Sequence, residues 1–164
     1  AQMIDRAGKH IHEVAQVLEP SAGDGAICDG IHTAAPDAII TAIESDPRRA
    51  AILRRKGYEV LEQDFLAFRS LMLFEAILMN PPFTAPDDAH TYIAHIEHAY
   101  TMLAPWGRLV AIAPGGFAFR NDQRIRGFRE LVETHGGYEE LSPGTFKDSG
   151  TGVNTVLLWL DGRR

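Results

Sequence analysis

Short continuous apolar runs alternate along this chain with stretches that carry apolar residues at helical spacing. A helical pattern runs to about Val14, and Ala15 to Glu19 reads as the first strand. Helical spacing resumes from about Asp24 to Thr33. Ala38 to Glu44 reads as a second strand, and Pro47 then opens a helix in the first-turn position that its fixed φ favours. Tyr58 to Gln63 and Phe74 to Met79 read as strands three and four. The clearest helix spans Pro86 to Leu103, where Ala89, Tyr92, Ile93, Ile96, Ala99, Tyr100 and Leu103 keep the spacing of one buried face. Gly107 to Ala113 follows as strand five. Gln123 to His135 is helical, with Ile125, Phe128 and Val132 on one face and Gly136-Gly137 as its stop signal. Tyr138 to Leu141 and Val153 to Leu160 then come without a helix between them, which favours an antiparallel pair. The alternation predicts an α/β fold: a mostly parallel seven-stranded sheet with a C-terminal antiparallel hairpin and helices on both faces.

At 164 residues the chain is expected to form a single domain over residues 1–164, with room for a substantial core. No apolar run is long enough to cross a bilayer. The sequence starts at Ala1 in the middle of a helical pattern, as a trimmed domain would. The single cysteine, Cys28, excludes an internal disulfide and fits a reducing, cytoplasmic setting; beside a glycine turn it reads as a small packed hydrophobe. A net charge of −6 argues against a strong free-standing nucleic-acid binder, but not against a catalytic module whose phosphate contacts come partly from a partner domain. Local charge changes that picture. Arg120, Arg124, Arg126 and Arg129 cluster with only Asp122 and Glu130 to offset them, as either a solvated helix face or a phosphate-binding surface. Arg48, Arg49, Arg54, Arg55 and Lys56 read as an exposed helix face. His90, His95 and His98 can share helix faces, but no cysteine or carboxylate set completes a metal site. No metal is expected, and His95 and His98 read as solvated.

Chemistry concentrates at the strand ends. Glu19-Pro20-Ser21-Ala22-Gly23-Asp24-Gly25 follows strand one, and Gly23 and Gly25 let the backbone turn tightly against a ligand. Strand two ends at Glu44, with Ser45 next to it, about 20 residues after the glycines, the spacing at which a Rossmann-like unit holds ribose hydroxyls. Cys28 occupies the place where a dinucleotide fingerprint wants glycine or alanine. Glu19 and Asp24 put carboxylates at the turn, which disfavours a diphosphate and suits a cationic ligand such as S-adenosylmethionine.

Asn80-Pro81-Pro82-Phe83 closes strand four. The prolines fix φ and donate no N–H, leaving carbonyl oxygens free to accept. Asn80 adds a side-chain oxygen and Phe83 a flat apolar face. Alone, the tetrapeptide reads better as an ordinary Pro-rich turn; beside the glycine turn and Glu44 it reads as a grip on a planar group that carries an amino nitrogen.

Together these motifs make the chain resemble class I S-adenosylmethionine-dependent methyltransferases with an Asn-Pro-Pro-aromatic motif, and most of all the N6-adenine DNA methyltransferases. The resemblance implies cofactor contacts from Glu19, Pro20, Ser21, Gly23, Gly25, Glu44, Ser45, Asp64, Phe65 and Asn80. Asp64 and Phe65 belong to Gln63-Asp64-Phe65, the segment that meets the adenine. It further implies catalysis by Asn80, Pro81, Pro82 and Phe83, and a nucleic-acid partner, DNA before RNA, touched by Arg120, Arg124 and Arg126. Ser142 to Lys147 and Gly150 to Thr155 resemble the closing hairpin of DNA adenine methylases. The sequence shows no obvious target-recognition domain after the hairpin and no upstream segment for the methionine end of the cofactor, and both are expected elsewhere in a longer parent chain. Another domain or subunit is expected to supply recognition. Adenine in RNA, a glutamine amide in a protein, and a non-catalytic cofactor-binding module are the competing readings.

Overall fold

The computed structural model describes residues 2–141 and 154–163. In chain order the regular elements are α1 (Gln2–Ala7), β1 (Gln16–Glu19), α2 (Ala26–Ala34), β2 (Ile39–Glu44), α3 (Pro47–Arg55), β3 (Val60–Glu62), β4 (Phe74–Met79), α4 (Thr91–Tyr100), β5 (Leu103–Pro114), α5 (Gln123–His135), β6 (Gly136–Glu140) and β7 (Thr155–Asp161). The strands form one seven-stranded sheet in the order β3-β2-β1-β4-β5-β7-β6. β1 to β5 pair in parallel, and β7 runs antiparallel to both β5 and β6. This is the expected α/β sheet with its antiparallel end.

Alternation along β4 divides the core. Ile77 and Met79 face one side, where Tyr92, Ile93 and Ile96 of α4 and Phe128 and Val132 of α5 cover them. Ala76 and Leu78 face the other, with Ala7 of α1 and Ile31 of α2. A smaller cluster joins Cys28 of α2, Ala42 of β2 and Leu53 of α3. Burying a side chain of this size contributes about 1.5–3 kcal/mol, so the two layers of apolar contacts hold the strand ends in fixed relation. Arg108 fastens β5 to β7 through a bidentate pair with Asp161, at 2.7 and 3.2 Å.

Several boundaries differ from the sequence expectation. α1 stops at Ala7 instead of near Val14, because the chain tightens into a 3-10 turn at Gly8–His10. α4 begins at Thr91 instead of Pro86. The residues before it close a turn in which Ala85 and Asp88 pair and Asp88 accepts the His90 N–H at 2.7 Å. α4 ends at Tyr100 because Leu103 already pairs with Phe74, which starts β5 four residues early; a register shift follows, and Trp106 has φ 66°. β6 begins at Gly136, so the two glycines that stop α5 also start a strand. Of the expected closing hairpin, Ser142 to Lys147 and Gly150 to Val153 lie outside the described residues.

Candidate active site

β1, β2, β3 and β4 end along one edge of the sheet, and the residues just beyond them line a cavity of about 320 Å³. Pro20 and Ser21 come from the turn after β1. Glu44, Ser45 and Arg49 come from the end of β2 and the start of α3; Gln63, Asp64 and Phe65 follow β3; Asn80, Pro81 and Pro82 follow β4; His95 reaches in from α4.

The turn after β1 is held from β2. Glu44 Oε2 accepts the Gly23 N–H at 2.7 Å, and Oε1 accepts the Asp46 N–H at 2.8 Å. The Ala22 N–H meets the Ile43 carbonyl at 3.0 Å. Gly23 has φ 53° and Gly25 φ 88°, a left-handed conformation that strains residues with a Cβ. A Cβ at Gly25 would also lie 2.7 Å from Leu53 Cδ2. Gly25 caps α2, and Asp46 caps α3 through the Arg48 N–H at 2.8 Å. Glu44 is 8% exposed. A carboxylate offers about four lone-pair sites, so after these two bonds Glu44 retains capacity toward the cavity.

Glu19 is placed differently from expectation. It is 1% exposed, absent from the cavity wall, and turned to α2, where Cys28 Sγ donates to its Oε2 at 2.8 Å. Burial pushes its carboxyl up to about 8 against the smaller opposing effect of the Cys28 hydrogen bonds. Near neutral pH it therefore adds little negative charge at the turn. Cys28 itself is buried as a packed side chain, and burial followed by the Glu19 carboxylate pushes its thiol upward.

Asp64 is exposed and accepts the Leu66 N–H at 2.9 Å, which caps the 3-10 turn that carries Phe65. Phe65 is buried and packs against the rings of His95 and His98, with centroids 5.7 and 4.9 Å away. Asn80 is exposed and Pro81 buried. Phe83 lies outside this cavity. It lines a second one of about 190 Å³ with Thr84, Ala89, His90, Tyr92, Pro114, Gly116, Phe117, Arg120 and Ile125. The tetrapeptide after β4 thus divides its members between two cavities, three toward the first and the aromatic toward the second. Burial pushes the Tyr92 hydroxyl in the second wall up to about 12, so it stays protonated.

The arginines separate into different roles. Arg120 lines the second cavity and also a third of about 410 Å³ between the end of β5 and the start of β7. Arg124 pairs with Glu97 of α4 at 3.4 Å. Arg126 is exposed. Arg129 donates to the Ala118 carbonyl at 3.0 Å and to the Arg120 carbonyl, so it fastens the 3-10 turn after β5. In the α3 cluster Arg54 pairs with Glu62 at 2.8 Å and Lys56 with Asp29 at 2.6 Å, on the outer face. Arg49 is the exception; it reaches the first cavity and lies 3.9 Å from Asp24. Its charge works against the purely acidic surround read from the sequence.

His95 is a second correction. Instead of standing on a solvated face it is 8% exposed, because α4 is buried over a wide arc that includes Thr91, Tyr92, Ile93, His95, Ile96 and Ala99. The signal was present: His95 lies between Tyr92 and Ile96 in the stripe itself. Among the described residues no three metal-binding side chains gather, and no helix is long and apolar enough to cross a membrane.

The sequence profile of the methyltransferase small domain family matches residues 8–138, and the chain belongs to that family. No curated protein matches the sequence. Its fold is shared with solved structures at low identity. The methyltransferase subunit of a type I restriction-modification system from Streptococcus thermophilus superposes with a TM-score of 0.81 at 17% identity, over 99% of this chain and 42% of that one. A protein from Listeria monocytogenes described as a class I S-adenosylmethionine-dependent methyltransferase gives 0.73 at 15% identity, over 99% of this chain and 58% of that one. The N-methyltransferase NodS from Bradyrhizobium japonicum, solved with S-adenosyl-L-homocysteine, gives 0.69 at 18% identity, over 99% of this chain and 85% of that one.

Proposed function

We propose that this methyltransferase domain uses S-adenosylmethionine to methylate an exocyclic amino nitrogen, N6 of adenine in DNA. The observation that carries the reading is the division of Asn80-Pro81-Pro82 and Phe83, consecutive residues, between two cavities. A methyl donor and a planar acceptor need such an arrangement, with the polar acceptors of the motif where the two meet.

The first cavity fits an adenosyl group by its donor set. Glu44 offers its remaining lone pairs to ribose hydroxyls, with Ser21 and Ser45 beside it. Gln63, Asp64 and the buried ring of Phe65 suit the amino group and face of adenine. Gly23 and Gly25 do not line the cavity; their left-handed turn shapes the loop whose Pro20 and Ser21 do, and Glu19 ties the end of β1 to α2 through Cys28. When bound, S-adenosylmethionine supplies an electrophilic methyl group. The protein's part is positioning. An aryl amine is a weak nucleophile because its lone pair is delocalised into the ring. Asn80 Oδ1 and the Pro81 carbonyl accept hydrogen bonds from that NH2 and favour a pyramidal nitrogen, while Phe83 stacks on the ring. Preorganised acceptors of this kind stabilise the positive charge that develops on nitrogen. No strong base is required beforehand, since the proton becomes acidic once the nitrogen is alkylated. A base in a duplex must first leave the stack.

DNA is favoured over RNA and over a protein glutamine by the sequence resemblance, with Arg120 at the second cavity available to a phosphate. Target recognition is assigned to a further domain or subunit. The test is transfer of labelled methyl to DNA, RNA and protein, followed by nucleoside analysis, for wild type and Asn80→Ala. N6-methyladenine in DNA that disappears in the variant is the expected result. Label in RNA alone or in a protein amide overturns the DNA assignment, and cofactor binding without transfer to any of the three overturns the catalytic one.

A further inference from the structure

His95 is a buried polar group without an evident reason to be buried. It is 8% exposed, and its Nδ1 finds no hydrogen-bond partner among the described residues. Its neighbours are accounted for. His98 Nε2 lies 2.9 Å from the Phe68 carbonyl, and His90 Nε2 is 3.9 Å from Asp122. Native proteins leave few buried polar atoms unsatisfied; Nδ1 is shut off from solvent, so a ligand in the cavity would meet the ring at Nε2. An apolar residue would complete the inner face of α4 more cheaply. The ring lines the first cavity beside Gln63 and Asp64 and is tilted 53° to Phe65. Burial lowers its proton affinity, against the opposing charge of Asp64 and with His98 adding to the effect. The imidazole is therefore neutral at physiological pH, with one nitrogen donating and the other accepting.

We propose that the His95 imidazole hydrogen-bonds a ring nitrogen of the cofactor's adenine and so selects the base at the donor site. This rests on reading the first cavity as the adenosyl site with Asp64 and Phe65 at its adenine end. Adenine presents N1, N3 and N7 as acceptors, and a neutral imidazole N–H suits any of them. A wall that hydrogen-bonds its ligand rejects analogues lacking the partner far more strongly than an apolar wall does.

Calorimetric titration decides it, using S-adenosylhomocysteine and three analogues in which N1, N3 or N7 is replaced by CH. His95→Phe keeps a flat ring against Phe65 but cannot hydrogen-bond; His95→Gln can. His95→Phe is expected to bind S-adenosylhomocysteine about 3- to 10-fold more weakly, with His95→Gln between the two. For one analogue, wild type and His95→Phe should bind equally. In wild type labelled with 15N, the His95 ring resonance should shift on adding S-adenosylhomocysteine, a readout that survives even if His95→Phe misfolds. Unchanged affinity in His95→Phe overturns the proposal. So does an equal loss for all four ligands, which is the mark of packing alone, or a ring resonance that ignores the ligand. If Glu44→Ala binds like wild type, the adenosyl site lies elsewhere and His95 falls with it. Methyl transfer that persists in Asn80→Ala would instead count against the catalytic reading and leave these titrations intact.

Discussion

The Glu44 carboxylate accepts the backbone N–H of Gly23 at 2.7 Å, joining the tip of β2 to the glycine turn after β1. One side chain therefore shapes the glycine turn and also faces the cavity proposed to hold a nucleoside.

Glu44→Ala is expected to act twice. Binding of S-adenosylhomocysteine should weaken by about 1–3 kcal/mol for charge-assisted bonds left unmade, measured by calorimetry. The melting temperature should fall as well, because the Gly23 and Asp46 N–H groups lose their acceptor. Glu44→Gln keeps one acceptor oxygen and should recover more stability than affinity. Unchanged affinity in Glu44→Ala would remove the ribose assignment.

Asn80→Ala and Phe83→Ala should behave differently from one another. Asn80 is exposed, so its removal should leave melting nearly unmoved while turnover falls by about 10²–10³. Phe83 is partly buried and packs against both main core clusters. Its truncation should cost part of the 3–5 kcal/mol typical of a buried phenylalanine, so lost activity in Phe83→Ala is ambiguous. Phe83→Leu, which keeps most of the volume without the flat ring, is the cleaner variant. Normal methyl transfer by a folded Asn80→Ala would refute its role.

Glu19 predicts a pH dependence of stability. Its folded carboxyl holds a proton up to about pH 8, against an ordinary value of 4.5. Between these values the folded state binds more protons than the unfolded state, so stability falls as pH rises through this window and levels off above it. The decline should be on the order of a few kcal/mol, since each pKa unit corresponds to about 1.4 kcal/mol. Urea denaturation from pH 5 to 9 measures it, with Glu19→Gln as the comparison that lacks this contribution. Parallel curves for the two proteins would show that Glu19 ionises freely.

Arg120 is the arginine best placed for a phosphate, because it lines the second and third cavities while Arg124 is already engaged by Glu97. If it contacts DNA, Arg120→Ala should flatten the log–log salt dependence of binding by about 0.9 on a duplex, or about 0.7 on a single strand. Arg124→Ala should flatten it less. Slopes identical to wild type would return the cluster to an ordinary solvated face.

What the sequence revealed, and what it hid, follows from locality. Phe74–Met79 and Gln123–His135 appear in the structure at their expected limits, because an apolar run stopped by Asn-Pro and a helix stopped by two glycines are both bounded by backbone chemistry. Glu44, Asp64 and Asn80 were legible because strand ends in a parallel sheet converge on one edge. Glu19 was not, since whether a strand-end carboxylate faces solvent or Cys28 depends on how α2 packs. His95 was misread although Tyr92 and Ile96 flank it, because a histidine counted as polar hid how wide the buried arc of α4 is; its ring contact with Phe65, 30 positions earlier, adds a non-local part. Arg49 was grouped with its charged neighbours because helical spacing alone does not reveal which residue of α3 overhangs a cavity.

The cavities on either side of the Asn80–Phe83 motif share no lining residue. Tyr92 and Phe117 share a core cluster with Phe65 of the first wall, but Thr84 and Pro114 do not, and effects at sites without common partners tend to add. On the proposed reading, the domain can be retuned to a new acceptor by drift on one side of four residues while its grip on the methyl donor is inherited unchanged.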